Sequence, residues 1–456
     1  MARSRSARSP VVCGVDIGST NTKAIALDPR GVVVSRRRRT TPRVAAGGAV
    51  DALALLGAIE EMILEICSDS YLIHAVCVAG VGEDGVLVDD EMTPITGALA
   101  WFDPRRADVF AALSPRLAPY PNPCVGDDAA RTIVGWRWAV DQPGASRARS
   151  WLALTDYASS VWTGTTFISD SLAARTAAWD GRTRRWVDDR VAASIGTAAL
   201  LPPVRRAGDV IGDCVSSRLA SAGVLAADAV VVAGGHDHPI GGWGVHQMDP
   251  KSILDSMGTA EVVVAQSPDA DVEHGADVDV APGIRSAGTT VLSVEELDRN
   301  VQWASRDEQV SATLESIIAG ERQPDRFLHV PAFIAGARGG GTPRYTDDAP
   351  TAAISRASAV LGALARIGEH ALQGVAAHLP SQPHVYAAGG WSRSPGWVTA
   401  KAAVTGRDVT VIPEPQVTAT GAALLAAKAI QWDPSPSVAL GMVSSTNQRL
   451  DEVSSV

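Results

Sequence analysis

The sequence predicts an α/β protein made of two related halves, and three observations predict it. The chain has 456 residues, enough for two substantial domains, each with its own core. Near the N-terminus, VVCGVDIGSTNTKAIAL over residues 11–27 sets two β-patterned apolar runs on either side of a polar turn. Near the middle, ILDSMGTAEVVVA over 253–265 gives the same arrangement in brief: an apolar strand, a Gly-Thr turn and a returning apolar strand. Asp255, Gly258 and Thr259 thereby echo Asp16, Gly18 and Ser19, although the echo is too short to be a repeat by itself.

Taken in order, Val11, Val12 and Val15 read as a buried strand, Lys23 to Leu27 as the strand returning from it, and Asp28, Pro29, Arg30 and Gly31 as the next turn. A third strand pattern ends in Arg36 to Arg39, a charge run of the kind that marks a solvated edge. A helical pattern over Ala52 to Cys67 leads to a strand-like run at His74 to Val81. In the second half, Val385 to Ala388 reads as a strand and the Ala-rich stretch Thr418 to Ile430 as a packing helix. Between them, FIAGARGGGTPRY at 333–345 is a Gly-rich loop, either a mobile lid around Gly339 or slack surface chain. The expected division is a disordered basic arm at 1–10 carrying Arg3, Arg5 and Arg8, a first domain at 11–245, a second at 246–430, and a tail at 431–456 that frays after Trp432.

A net charge of −10 and a pI near 5.4 give no global basic field for nucleic acid, so an ordinary soluble enzyme is the default. No apolar run reaches the roughly 18 residues of a membrane span, and the N-terminus lacks a signal peptide's apolar core, which makes the cytoplasm the expected compartment. The five cysteines are scattered without Cys-x-x-Cys spacing, as expected of reduced thiols rather than a disulfide frame or zinc site.

The turn at 16–23 suits phosphate. Gly18 lets the backbone come close to a ligand, the hydroxyls of Ser19, Thr20 and Thr22 and the adjacent N–H groups can donate to phosphate oxygens, and Asp16 at the strand end is suited to hold Mg²⁺ through water. Alone, an Asp-x-Gly turn is equally a polar β-hairpin. Read with three later segments, Asp-x-Gly-Ser-Thr-x-Thr-Lys resembles the first phosphate motif of the FGGY family of carbohydrate kinases. VVVAGGHDHPIGGWGV at 230–245 resembles that family's strand, Gly-Gly turn and catalytic Asp, with Asp237 at the matching position. LDSMGTAEVVV at 254–264 resembles the second phosphate motif, and AAGGWSRSPGWVTAKAAVTG at 387–406 the nucleotide-binding stretch. The resemblance implies two ribonuclease H-like domains of the actin/hexokinase type around a central cleft.

It also implies an ATP- and Mg²⁺-dependent kinase acting on a small carbohydrate, with each residue carried over by position. Asp237 is the expected general base, because a sugar hydroxyl is a poor nucleophile until a carboxylate takes its proton. Lys23 and the turn of Gly258 and Thr259 are expected at the phosphates, and Gly389, Gly390 and Ser392 at the nucleoside. Glu83 and Asp84 follow the strand that reaches the sugar in the family. Trp101, Asp103 and Arg105 in AWFDPRR resemble its Trp-x-Asp-x-Arg stretch, giving a stacking face, a hydroxyl acceptor and a donor. His236 and His238 flank the base. His-x-His can be a metal pair, but no partner set accompanies it, so these two are expected to shape the sugar pocket. Three departures stand out: neither Met-His nor Arg-Glu occurs near Glu83, Trp391 replaces a third Gly, and Ala337 stands where the family has Glu. The first departure means that the acceptor cannot be taken from the xylulokinase-like or glycerol-kinase-like forms; the resemblance implies a ketose such as xylulose, a polyol or a sugar acid, and a homodimer is common in such kinases. The rivals are an actin-like ATPase switch and a catalytically weakened sugar- or nucleotide-binding regulator.

Overall fold

The computed structural model describes residues 8–44, 48–336 and 341–443. In the first half, β1 (Ser9–Ile17), β2 (Asn21–Leu27) and β3 (Val33–Thr40) form an antiparallel meander. Helix α1 (Ala52–Cys67) returns the chain to β4 (Tyr71–Gly80), parallel to β1; β5 (Val210–Asp213) then lies at the edge beside β6 (Leu225–His236), which is parallel to β4. The order is β5-β6-β4-β1-β2-β3.

In the second half, β7 (Ser252–Met257), β8 (Ala260–Ser267) and β10 (Thr289–Glu296) form the meander, β9 (Asp279–Pro282) the edge, and β11 (His384–Ala388) and β12 (Thr410–Val411) the parallel side. The order is β9-β10-β8-β7-β11-β12. Without the two edge strands, both halves read third-second-first-fourth-fifth. The short sequence echo is therefore the visible part of a structural duplication.

Local chemistry explains the elements. Asp51 caps α1 by accepting the Ala54 N–H, and Leu55, Ile59, Met62, Ile63 and Ile66 make its buried stripe. The predicted packing helix is present as α5 (Val417–Ala429), after α2 (Asp237–Met248), α3 (Ala353–Ala376) and α4 (Pro395–Thr405). Helix α5 lies on the first-half sheet, with Ala419 to Ala427 packed among Val12, Ile25, Ala75 and Cys77. Its approach needs Gly14 in β1, since a Cβ there would fall 2.0 Å from Ala419 O. In exchange α2 lies on the second-half sheet, where Gly242 faces Val264. Each half is closed by the other's helix, which fixes the two sheets about one cleft.

Two boundaries and one charge run differ from expectation. Strand β1 starts at Ser9, so the basic arm is shorter than ten residues; Arg8 bonds Gly223 O and meets Asp69 at 3.4 Å, and residues 1–7 lie outside the described residues. The Arg36 to Arg39 run is not merely solvated. Arg37 and Arg39 pair with Glu61 and Glu65 of α1, and Arg36 meets the buried Glu414 at 2.5 Å, linking the halves. The tail does not fray at Trp432 either. Ser435 caps a short helix at Pro436–Ala439, and Leu440 is buried because this segment docks under the β2–β3 turn, where the Ser435 N–H bonds Arg30 O. All five cysteines are buried and unpaired.

Candidate active site

Strands β6, β4 and β1 are adjacent and parallel, so their C-terminal ends share one edge, where clefts form in α/β sheets. In register, Gly80 faces Ile17 on one side and His236 on the other. Asp16, Glu83, Asp84 and Asp237 are thereby gathered from positions over 200 residues apart.

Asp237 opens α2, the position a plain helix-starting acid would also take. Its Oδ1 accepts the His238 N–H at 2.7 Å and lies 3.2 Å from His236 Nε2 and 3.6 Å from His238 Nε2. Burial raises its pKa and the charges of Asp16 and Glu83 raise it further, while His238 opposes the shift. The Gly-Gly turn makes a close approach: Gly235 has φ +151°, and a Cβ there would meet Ser171 Oγ at 2.1 Å. His236 is almost fully buried and held neutral, first by burial and then by Arg175.

On the phosphate side, Lys23 Nζ meets Asp16 Oδ2 at 2.7 Å and carries a raised pKa, from Asp16 first, with Asp237 contributing. The Gly18 N–H closes the turn on Asn21 O at 3.0 Å, and Thr20 is exposed. Thr22 corrects the sequence expectation. Strand alternation turns it inward, fully buried, and its hydroxyl meets Thr41 Oγ1 at 3.1 Å, so it braces the turn instead of facing phosphate. Ser19 Oγ accepts the Trp101 Nε1–H at 2.8 Å, joining the expected sugar platform to the phosphate turn.

On the acceptor side, burial opposes ionisation of Glu83, but Arg175, at 2.6 and 2.8 Å, holds its pKa down to about 2. Asp84 goes the other way: burial pushes it up to about 7 although Arg106 lies 3.6 Å away. Asp84 Oδ1 and His236 Nδ1 are buried with no hydrogen-bond partner among the described groups. Asp103 and Arg105 pair with each other, with contacts of 2.7 and 2.9 Å and Arg105 half-exposed. The arginine that builds the site is the next one. Buried Arg106 donates to Leu99 O at 2.7 Å, Ala100 O at 2.8 Å and Arg131 O at 3.1 Å, pinning the Trp101 loop.

Sequence reasoning also missed Arg175 and Arg43. Arg43 bonds Ser19 O at 2.9 Å and covers the Phe102 ring at 5.2 Å. Neither has a local signal, since the partners are 92 and 24 residues away.

The second half supplies the other face. Strands β7 and β11 end side by side, bringing Gly258 and exposed Thr259 next to Gly389 and Gly390. Gly389 has φ +92°, and a Cβ would fall 2.3 Å from Met257 O; Gly390 is open. Ser392 is buried and donates to Gly389 O at 2.8 Å, so it holds the loop and does not face solvent. Trp391, in place of a third Gly, donates to Asp298 Oδ1 at 2.9 Å. The candidate lid at Gly339 lies outside the described residues.

Models of the FGGY family of carbohydrate kinases match this chain twice, the N-terminal domain over residues 11–244 and the C-terminal domain over 292–430. The chain belongs to the FGGY family of carbohydrate kinases. Similar relatives of this family include the xylulose kinase of Streptomyces coelicolor, 26% identical over 98% of this chain and 94% of its own length, and the L-fuculokinase of Escherichia coli K12, 25% identical over 58% of each. The fold is that of the xylulose kinase of Rhodospirillum rubrum (TM-score 0.79, 19% identity, covering 94% of this chain and 92% of that one). It is also that of the gluconate kinase of Lactobacillus acidophilus (TM-score 0.78, 16% identity, covering 95% and 92%). Membership makes the chain a carbohydrate kinase with the actin/hexokinase-type fold, and FGGY kinases use ATP, generally with Mg²⁺. Among the described residues no helix is long and apolar enough to cross a membrane.

Proposed function

We propose that this kinase transfers the γ-phosphoryl group of ATP directly to a hydroxyl of a small ketose such as xylulose, with Asp237 as general base. The observation that carries this reading is the convergence of Asp237 with Asp16 and Lys23 at the shared strand edge. Full-length similarity to a protein named xylulose kinase supports the ketose. Among the described residues no three His, Cys, Asp or Glu gather to hold a metal alone, so Mg²⁺ would rest on Asp16 together with phosphate oxygens. When bound, it neutralises charge developing on the transferred group.

The chain's own residues do the rest. Asp237 accepts the hydroxyl proton, and its raised proton affinity suits it to that task. Lys23 places an ammonium at the phosphate turn, and the turns at Gly18 and Gly258 present backbone from opposite halves. Asp84 Oδ1 and His236 Nδ1 are the buried polar atoms left for acceptor hydroxyls. Product analysis by ³¹P NMR after incubation with Mg·ATP and D-xylulose tests the reading: a new phosphomonoester resonance is expected, and inorganic phosphate alone would defeat it.

Two further outcomes follow here. Trp101→Phe keeps the stacking face but loses the bond to Ser19; the acceptor KM is expected to rise by about 2–10-fold, as for one hydrogen bond, with the ATP KM unchanged. An equal rise in both would separate Trp101 from the acceptor. Because Asp237 must be ionised and its pKa is raised, kcat/KM should fall as pH drops through a value above the ordinary carboxylate pKa of about 3.9. A rate flat down to that value would show that no such group acts as base.

A further inference from the structure

Between the two halves lies a cavity of about 580 Å³, large enough for a sugar-sized or larger ligand, and no candidate active-site residue lines it. The first half gives one wall three guanidinium groups, Arg182, Arg184 and Arg206, and the second half gives the other wall β9 and residues 286–289. Contacts cross the seam around it: Val280 N–H to Cys124 O at 2.8 Å, Arg206 to Ser286 O at 2.9 Å, and Arg182 to Glu273 at 2.9 Å.

The three cations are unequally satisfied. Arg184 rests on Asp170, whose carboxylate is almost fully buried. Arg206 has a backbone carbonyl at its guanidinium, and among the described residues the carboxylate paired with Arg182 is a glutamate that is 75% exposed, a solvent-screened pair that a ligand anion can displace. Asp271 and Glu273 are the lining carboxylates that oppose an anion. Tyr120 Oη, also in the lining, is buried without a hydrogen-bond partner among the described groups. Two non-glycine residues beside the cavity hold left-handed backbone, Arg184 at φ 55° and Arg285 at φ 52°, conformations that persist where the surroundings enforce them.

The cavity also has a physical line to the acceptor side. Asp279, in β9, meets Arg175 at 2.8 Å, and Arg175 holds Glu83 at 2.6 Å; His274 in the cavity lining lies 3.4 Å from the same aspartate. We propose that this cavity is a second ligand site, for a small sugar-sized polyanion such as a phosphate monoester or polycarboxylate, whose binding alters acceptor affinity through Asp279, Arg175 and Glu83. Binding stands apart from the kinase reading; the effect on acceptor affinity rests on it.

The test is thermal unfolding of the full-length protein with inorganic phosphate, glucose 6-phosphate, citrate or glucose, against sodium chloride of equal ionic strength. A saturable rise in Tm is expected with at least one of the anions and not with glucose, weakened at least about tenfold in apparent affinity in Arg206→Gln and Arg182→Gln. No saturable shift with any of the three anions, or an unchanged shift in both variants, overturns the site. With the stabilising anion bound, the acceptor KM should change by about fivefold or more. An unchanged KM in an active enzyme would overturn the link to Glu83 while leaving binding in place.

Discussion

Asp237→Asn is expected to lower kcat by about 10²–10⁴-fold, the usual worth of a positioned general base, while ATP affinity stays unchanged. Asparagine is nearly isosteric and its Oδ1 can still accept the His238 N–H, now at 2.7 Å, so the start of α2 should survive. What is lost is the capacity to take a proton. The nucleotide contacts proposed for the turns at Gly18 and Gly258 and for the Gly389 loop do not involve that carboxylate. Single-turnover rates with labelled ATP, alongside equilibrium ATP binding, separate the two quantities. A variant with near wild-type turnover would reduce Asp237 to the acid that opens a helix, and one that lost ATP binding equally would make it structural.

The largest stability effect is expected beneath the turn at Gly258. Lys401 of α4 reaches Asp255 and Glu261 at 2.5 Å each, and all three are almost completely buried. Burial works against the ammonium, but the two carboxylates hold it protonated. Burial and the charge of Asp255 push Glu261 up to about 8, so the triad keeps a proton well into the neutral range. Lys401→Met removes the cation and leaves two acids together, which should cost about 3–5 kcal/mol, read from the urea midpoint at constant slope. Adding Glu261→Gln should recover part of that loss. The pH dependence has a definite sign. Glu261 binds its proton more tightly folded than unfolded, so its contribution is complete below about 4.3 and is lost as pH rises toward about 8. The wild-type urea midpoint should therefore fall across that interval, and Glu261→Gln should flatten this part of the profile. A flat wild-type profile would mean that the triad carries no extra proton.

The cleft was legible in sequence where chemistry is local. Asp16, Gly18 and Lys23 sit within one turn, Asp237 follows a Gly-Gly pair that only a close approach requires, and Gly258 repeats the pattern in the second half. Side-chain facing was not legible. Thr22 lies one position before Lys23 and looks equally suited to phosphate, yet strand alternation sends the two to opposite faces. In AWFDPRR the exposed Arg105 turns to Asp103, and the adjacent Arg106 goes inward, a choice made by the carbonyls of residues 99, 100 and 131, which no local pattern announces. Arg175 and Asp279 were out of reach for the same reason: their partners are 92 and 104 residues away along the chain. The tail misled through composition. Its Pro and Ser content reads as loose chain, but Val438, Ala439 and Leu440 supply enough apolar surface to dock.

The most direct test of the central claim is acceptor-dependent ADP formation from Mg·ATP across neutral ketoses, aldoses, polyols and sugar acids. One compound, expected to be a ketose, should raise turnover far above the sugar-free rate in the wild type and leave Asp237→Asn near background. ADP formation at the same rate with and without every compound, from protein that binds ATP, would contradict a carbohydrate kinase mechanism centred on Asp237.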